Sequence, residues 1–119
     1  MTQTLRVFNR TRNTEIVTKG EVAATIWTRF VGLMGRRELA DGFGLLLRNE
    51  SAIHTFGMRV DIDVAYLDSA GKVVRLTEAM PPARVGPFVR GVRDVLELPS
   101  GTLARAQTRV GDQLDLQMV

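Results

Sequence analysis

Short alternations of apolar and polar side chains recur along most of the chain, the pattern of half-buried strands. Leu5, Val7 and Asn9 alternate with Arg6 and Phe8, which predicts a first strand. Residues 14–18 and 22–25 carry β-branched side chains on either side of Lys19-Gly20, which predicts a hairpin or a bent pair of strands. Over 26–37 the period lengthens. Ile26, Phe30 and Leu33 share one face, with Trp27, Val31 and Met34 beside it, as in an amphipathic helix. Thr25 or Thr28 is placed to cap its start, and Gly35-Arg36-Arg37 suits its end. Gly32 inside it costs about 1 kcal/mol relative to alanine, which implies another backbone packed close by.

Strand signals then resume. Residues 43–47 are a short apolar run of the buried kind, and 52–58 and 62–67 follow. Asp68-Ser69-Ala70-Gly71 puts Asp first and Gly last, the order of a tight turn, and 72–77 returns as the partner strand. Residues 80–93 differ: Pro81, Pro82, Gly86, Pro87 and Gly91 interrupt any ladder, which predicts a loop long enough to serve a function. Residues 95–98 form another strand stopped by Pro99, and 100–106 begin a short turn or helix. Over 113–119, Gln113, Asp115 and Gln117 alternate with Leu114, Leu116 and Met118. These elements predict a mostly β fold, a compact antiparallel β-sandwich or small barrel with one main helix over about 26–37 and short extra turns. No internal repeat or linker divides the chain, so 1–119 is expected to be a single domain.

Composition narrows the chemistry. At 119 residues and 45% hydrophobic content, the chain can bury a core of its own. The absence of cysteine excludes disulfides, thiolate catalysis and cysteine-held zinc. No apolar run approaches the ~18 residues of a membrane-spanning helix, so no membrane insertion is expected. The N-terminal residues lack a secretory pattern, and a cytoplasmic location is expected. The pI of about 10.2 accompanies a net charge of only +3. With one His and no Cys, little titrates near neutrality, so the pI reports weak buffering rather than a strong field. Residues 1–60 hold nine Lys/Arg against five Asp/Glu, and 61–119 hold seven against eight.

Several segments resemble a known family. They are Gly32-Leu33-Met34-Gly35-Arg36 with Arg29 before and Leu39 after, Gly44-Leu45-Leu46-Leu47, and the run from Ile53-His54-Thr55-Phe56-Gly57-Met58-Arg59 through Asp68. Val95-Leu96-Glu97-Leu98-Pro99-Ser100-Gly101 and Val110-Gly111-Asp112 continue the match in order. Over roughly residues 15–119 the chain is similar to the prokaryotic domain of unknown function 192. The resemblance implies a β-sandwich or barrel with short helices, and no established activity. Asp61 stands where that family usually has proline ahead of its Ile-Asp pair, which replaces a rigid corner with a carboxylate.

Candidate chemistry is sparse. His54 is the single histidine and the one side chain with an unperturbed pKa near neutrality. It could serve as a base with Asp63 or Glu97, but neither Ser51 nor Thr55 lies in a nucleophile elbow. Asp61, Asp63 and Asp68 offer oxygens to a hard cation, yet the glycine and closing glutamate of a calcium loop are missing. Asp68 fits the opening of its turn better, and Asp63 fits a partner of backbone donors or arginine. Glu97 points opposite to Leu96 and Leu98, either to solvent or into a cavity. Arg29, Arg36 and Arg37 lie on the expected helix and just beyond it, either as solvated charge that offsets its negative C-terminal end or as an anion site.

The leading expectation is a non-enzymatic module that holds a small molecule or peptide in a cleft bounded by the 80–93 loop. Its candidate binding residues are His54, Arg59, Asp63, Glu97, Arg84, Phe88 and Arg90. No catalytic residue, metal or cofactor is assigned. The alternatives are a hydrolase or lyase using His54 with Asp63, and a nucleic-acid-associated accessory protein. The latter is disfavoured because Trp27 and Phe30 are read as core rather than as stacking partners.

Overall fold

A computed structural model describes residues 3–24 and 33–119. Within them lie β1 (Thr4–Asn9), β2 (Thr14–Ala23), β3 (Leu45–Arg48), β4 (Ile62–Leu67), β5 (Val73–Met80) and β6 (Asp94–Pro99), then the short α1 (Thr102–Arg105) and β7 (Leu114–Met118). The strands form one sheet in the order β5-β4-β6-β3-β2-β1-β7. Its edges turn toward each other. Lys72 bridges Gln113, Val73 N–H donates to the Asp112 carbonyl at 2.9 Å, and Leu114 N–H donates to Gly71 at 3.0 Å. The sheet is therefore a curled half-barrel joined at one end.

All neighbouring pairs are antiparallel except β2 and β3, which run parallel in the register Glu21–Leu45, Val22–Leu46 and Ala23–Leu47. A parallel pair needs a crossover, and residues 24–44 supply it. Gly20 is not a turn residue. β2 passes through it, and the turn to β1 falls at 10–13 instead. The reason is a close approach: a Cβ on Gly20 would lie 2.5 Å from the Gly44 carbonyl oxygen. The first and last strands are neighbours, and Thr4 and Val119 exchange both backbone hydrogen bonds, at 2.9 and 3.0 Å.

Both faces of the central strands are buried, so β4 and β6 are inaccessible along their whole length. The inner core takes Leu5, Val7, Leu46, Leu67, Leu96 and Leu98, and Leu103 of α1 plugs it. The outer core takes Leu45, Leu47, Val64, Tyr66 and Val95, covered by Leu33, Ile53 and Met58 from outside the sheet. Each such side chain contributes roughly 1.5–3 kcal/mol on burial, so the fold rests on two apolar layers rather than one.

The expected helix over 26–37 lies mostly outside the described residues. Its last part, 33–37, is a turn in which Arg36 N–H meets the Leu33 carbonyl at 3.3 Å. The Asp68–Gly71 turn forms as expected, with Asp68 Oδ1 accepting Ala70 and Lys72 N–H at 2.9 Å each. Among the described residues, no helix is long and apolar enough to cross a membrane.

Candidate binding surface

The Pro-rich segment 80–93 is tied down along its length. It runs antiparallel to 51–56, with His54 bridging Val85. Thr55 N–H donates to Arg84 at 2.8 Å and Ala83 N–H returns to Thr55 at 3.0 Å. Gly86 N–H reaches Ile53 at 2.7 Å, and Val89 N–H reaches Ser51 at 3.3 Å. The Thr55 hydroxyl adds two bonds, donating to the Pro81 carbonyl at 2.7 Å and accepting Arg84 N–H at 2.8 Å. Thr55 is fully buried, so these groups have no water to fall back on.

Beneath the ribbon, Ile53 and Met58 enter the outer core. Gly86 lies directly over Tyr66, where a Cβ would stand 2.9 Å from the phenolic oxygen. Segments 51–60 and 80–93 therefore make a ribbon fixed to the outer face of the sheet.

Its exposed side is unusual in chemistry. Phe88 is 76% exposed, Val85 70% and Phe56 50%. The His54 ring stacks on Phe56 with centroids 5.5 Å apart. Arg59, Arg84, Arg90 and Arg93 are all exposed, and neither segment contains an Asp or Glu. The other twelve Lys/Arg are outnumbered by thirteen Asp/Glu, so the ribbon accounts for the whole positive surplus of the chain.

Several arginines elsewhere are paired. Arg6 meets Glu15 at 3.0 Å, Arg12 meets Asp112 at 3.1 Å, Arg36 meets Glu21 at 3.2 Å and Arg48 meets Asp94 at 3.1 Å. Among the described residues, none of the four ribbon arginines faces a carboxylate. Arg93 donates to the neutral Asn49 side chain at 2.9 Å.

Of the residues singled out from the sequence, His54, Arg59, Arg84, Phe88 and Arg90 all lie along this ribbon. Asp63 and Glu97 do not. Directly opposed residues share a face, and Asp63 opposes Leu98 whereas Glu97 opposes Val64. The two carboxylates thus point to opposite sides of one sheet.

Asp63 faces the inner core and accepts Ala79 N–H at 2.9 Å on one oxygen, with Gly101 and Leu103 N–H at 3.0 Å on the other. It anchors α1 to β4 and β5, the backbone-donor role anticipated for it. Glu97 is buried on the outer face, where burial pushes its carboxyl up to about 8. Burial also raises the Tyr66 phenol on that face. Among the described residues, no three His, Asp or Glu gather as a metal site. A separate open groove of about 300 Å³ lies along β1, β2 and β7, but its Arg6 is already paired with Glu15.

Thr55, Gly86 and Val85 gain importance that the linear sequence did not signal. A threonine between a histidine and a phenylalanine reads as a strand residue. Its clamp on Arg84 and Pro81 joins positions far apart in the chain.

The family model DUF192, described as "Uncharacterized ACR", matches residues 7–116. A UPF0127 protein of Thermococcus sibiricus is 29% identical over 116 residues, covering 94% of this chain and 75% of that protein. A UPF0127 protein of Pyrococcus furiosus is 32% identical over 112 residues, covering 92% and 96%. Among solved structures, a "putative transcription regulator" from Sinorhizobium meliloti superposes with a TM-score of 0.82 at 24% identity, over 97% of this chain and 93% of that one. A protein of unknown function from Novosphingobium aromaticivorans gives 0.81 at 21% identity, over 94% and 83%. At such identities the two structures speak for the fold.

Proposed function

The chain belongs to the DUF192 family of uncharacterised proteins, and within that family we propose that it is a non-catalytic binding domain whose recognition surface, the ribbon of 51–60 and 80–93, takes a negatively charged partner. One observation carries this: four exposed arginines, with no carboxylate in either segment, stand among exposed apolar side chains on a backbone held rigid from below. A surface of that kind has its geometry set before a partner arrives, which lowers the ordering penalty of association. Its positive field steers anions toward it.

His54, Arg59, Arg84, Phe88 and Arg90 supply the contacts, while Asp63 and Glu97 belong to the supporting sheet. A hydrolase or lyase built on His54 with Asp63 lacks comparable support. Asp63 takes backbone N–H groups on both oxygens and faces the inner core.

Backbone amide NMR of the whole chain, titrated with a heparin hexasaccharide as a generic polyanion, tests the proposal. The expected shifts fall in 51–60 and 80–93 and disappear in an Arg59→Ala/Arg84→Ala/Arg90→Ala variant. Shifts scattered over the molecule, or none at low salt, would remove the ribbon from consideration.

A further inference from the structure

We propose that the partner of this ribbon is a single strand of nucleic acid; the inference rests on the ribbon being the binding surface and adds the chemistry of what it binds. Charge alone would admit any anion. The aromatic groups narrow the choice. Phe88 and Phe56 stand proud of the surface at 76% and 50% exposure. Phe56 is already stacked on His54 at an interplanar angle of 25°, so its open side can extend that stack with a flat ring.

Nucleobases stack on proud aromatic side chains irrespective of sequence, while the backbone follows a line of cations. An acidic peptide would instead place its anchors in recessed, dehydrated pockets. A duplex has its bases stacked internally and offers no ring face to Phe56 or Phe88.

The cations suit phosphate. All four are arginine, whose planar fork meets two phosphate oxygens at once and also stacks on bases. No carboxylate within the two segments competes for them. Phe56 and Phe88 stand toward opposite ends of the paired stretch, in which His54 bridges Val85 and Val89 N–H reaches the Ser51 carbonyl. The basic first half of the sequence is a poorer guide, because Arg6, Arg12, Arg36 and Arg48 are internally neutralised.

Fluorescence anisotropy of the full chain with fluorescein-labelled 12-mers of oligo(U) and oligo(dT) tests this, alongside a 12-base-pair duplex and a poly-glutamate peptide of equal charge. Binding of either single strand is expected to weaken roughly 20- to 50-fold between 50 and 200 mM salt, the response of three to four phosphate contacts. Phe56→Ala and Phe88→Ala should each weaken it about fivefold or more. Arg84→Ala/Arg90→Ala should weaken it and flatten the salt response, whereas Arg6→Ala should change neither. The Arg84→Lys/Arg90→Lys variant keeps the charge and so guards against a folding artefact. Tighter binding of oligo(U) than of oligo(dT) identifies RNA as the source, and the reverse identifies DNA.

If poly-glutamate or the duplex binds as tightly as the single strands, or the phenylalanine variants bind unchanged, the nucleic-acid assignment is overturned while the anion-binding surface survives. If the oligonucleotides and the heparin hexasaccharide all fail to bind at low salt, both proposals fall.

Discussion

Glu97 is a carboxyl group enclosed by the outer core, 3% exposed and set between Leu45 and Val64 in the sheet register. Its folded pKa of about 8 lies above the ordinary 4.5, so it stays protonated in the folded chain where the unfolded chain ionises. Native protein then binds more protons than unfolded protein between those two values. The stability Glu97 contributes is whole below the unfolded pKa and is lost as pH rises through the folded one, by up to about 1.4 kcal/mol per pH unit. Urea unfolding at pH 5 and pH 9 should show this loss in the natural chain and little of it in Glu97→Gln, which keeps the shape without the titration. Asp63 presents the opposite case. Removing its carboxylate in Asp63→Ala strands the N–H groups of Ala79, Gly101 and Leu103. A destabilisation of about 3 kcal/mol or more is expected by chemical denaturation, with Asp63→Asn losing less because its carbonyl still accepts. A neutral effect of Asp63→Ala on stability would reopen the idea that this residue serves chemistry instead.

Two joints between elements carry the architecture. Where β2 and β3 meet, Gly20 lies against the Gly44 carbonyl, so Gly20→Ala must push two backbones apart. Overpacking of this kind costs about 1–3 kcal/mol, and a lowered melting temperature would register it. At the second joint, Thr55→Val keeps the volume but loses the hydroxyl that holds Pro81 and Arg84. Hydrogen exchange should quicken at the amides of Ala83, Arg84 and Gly86 by about tenfold, near 1.4 kcal/mol, while β4 and β6 stay protected. The same joints explain what could be read in the linear chain. Alternation located β1 and β7, where one buried face imposes a period of two, while β3, buried on both faces, showed as a continuous apolar run and β5 followed from the turn before it. It left Lys19-Gly20 open as a hairpin or a bend, because a glycine needed for close packing looks identical to one needed for a turn. It could not reveal the parallel pairing of β2 with β3, since periodicity carries no strand direction. Glu97 was undecidable for a related reason: Leu96 and Leu98 face one core, and only the second core, built from 33–58, buries the opposite side. The candidate set divided along the same line, with the 51–60 and 80–93 residues lying along one ribbon while Asp63 and Glu97 parted to opposite faces.

Over the whole molecule, charge and packing are sorted by region. Ion pairs between the first strands and the 94–112 region neutralise arginines there, while the ribbon keeps its four without a carboxylate in either segment. Apolar layers on both sides of β4 and β6 give that ribbon a stiff bed. The meeting of Thr4 with Val119 has a topological consequence. Since these positions are already hydrogen-bonded neighbours, a short glycine linker could join them and the cyclic chain could be reopened at the tight bend of 10–13. Every strand pairing would survive in such a circular permutant, and one new pair of ends would replace the old. By the same geometry the unit is suited to being carried as an insert in a host protein, entering and leaving through a single doorway on the side of the sheet where β1 lies beside β7.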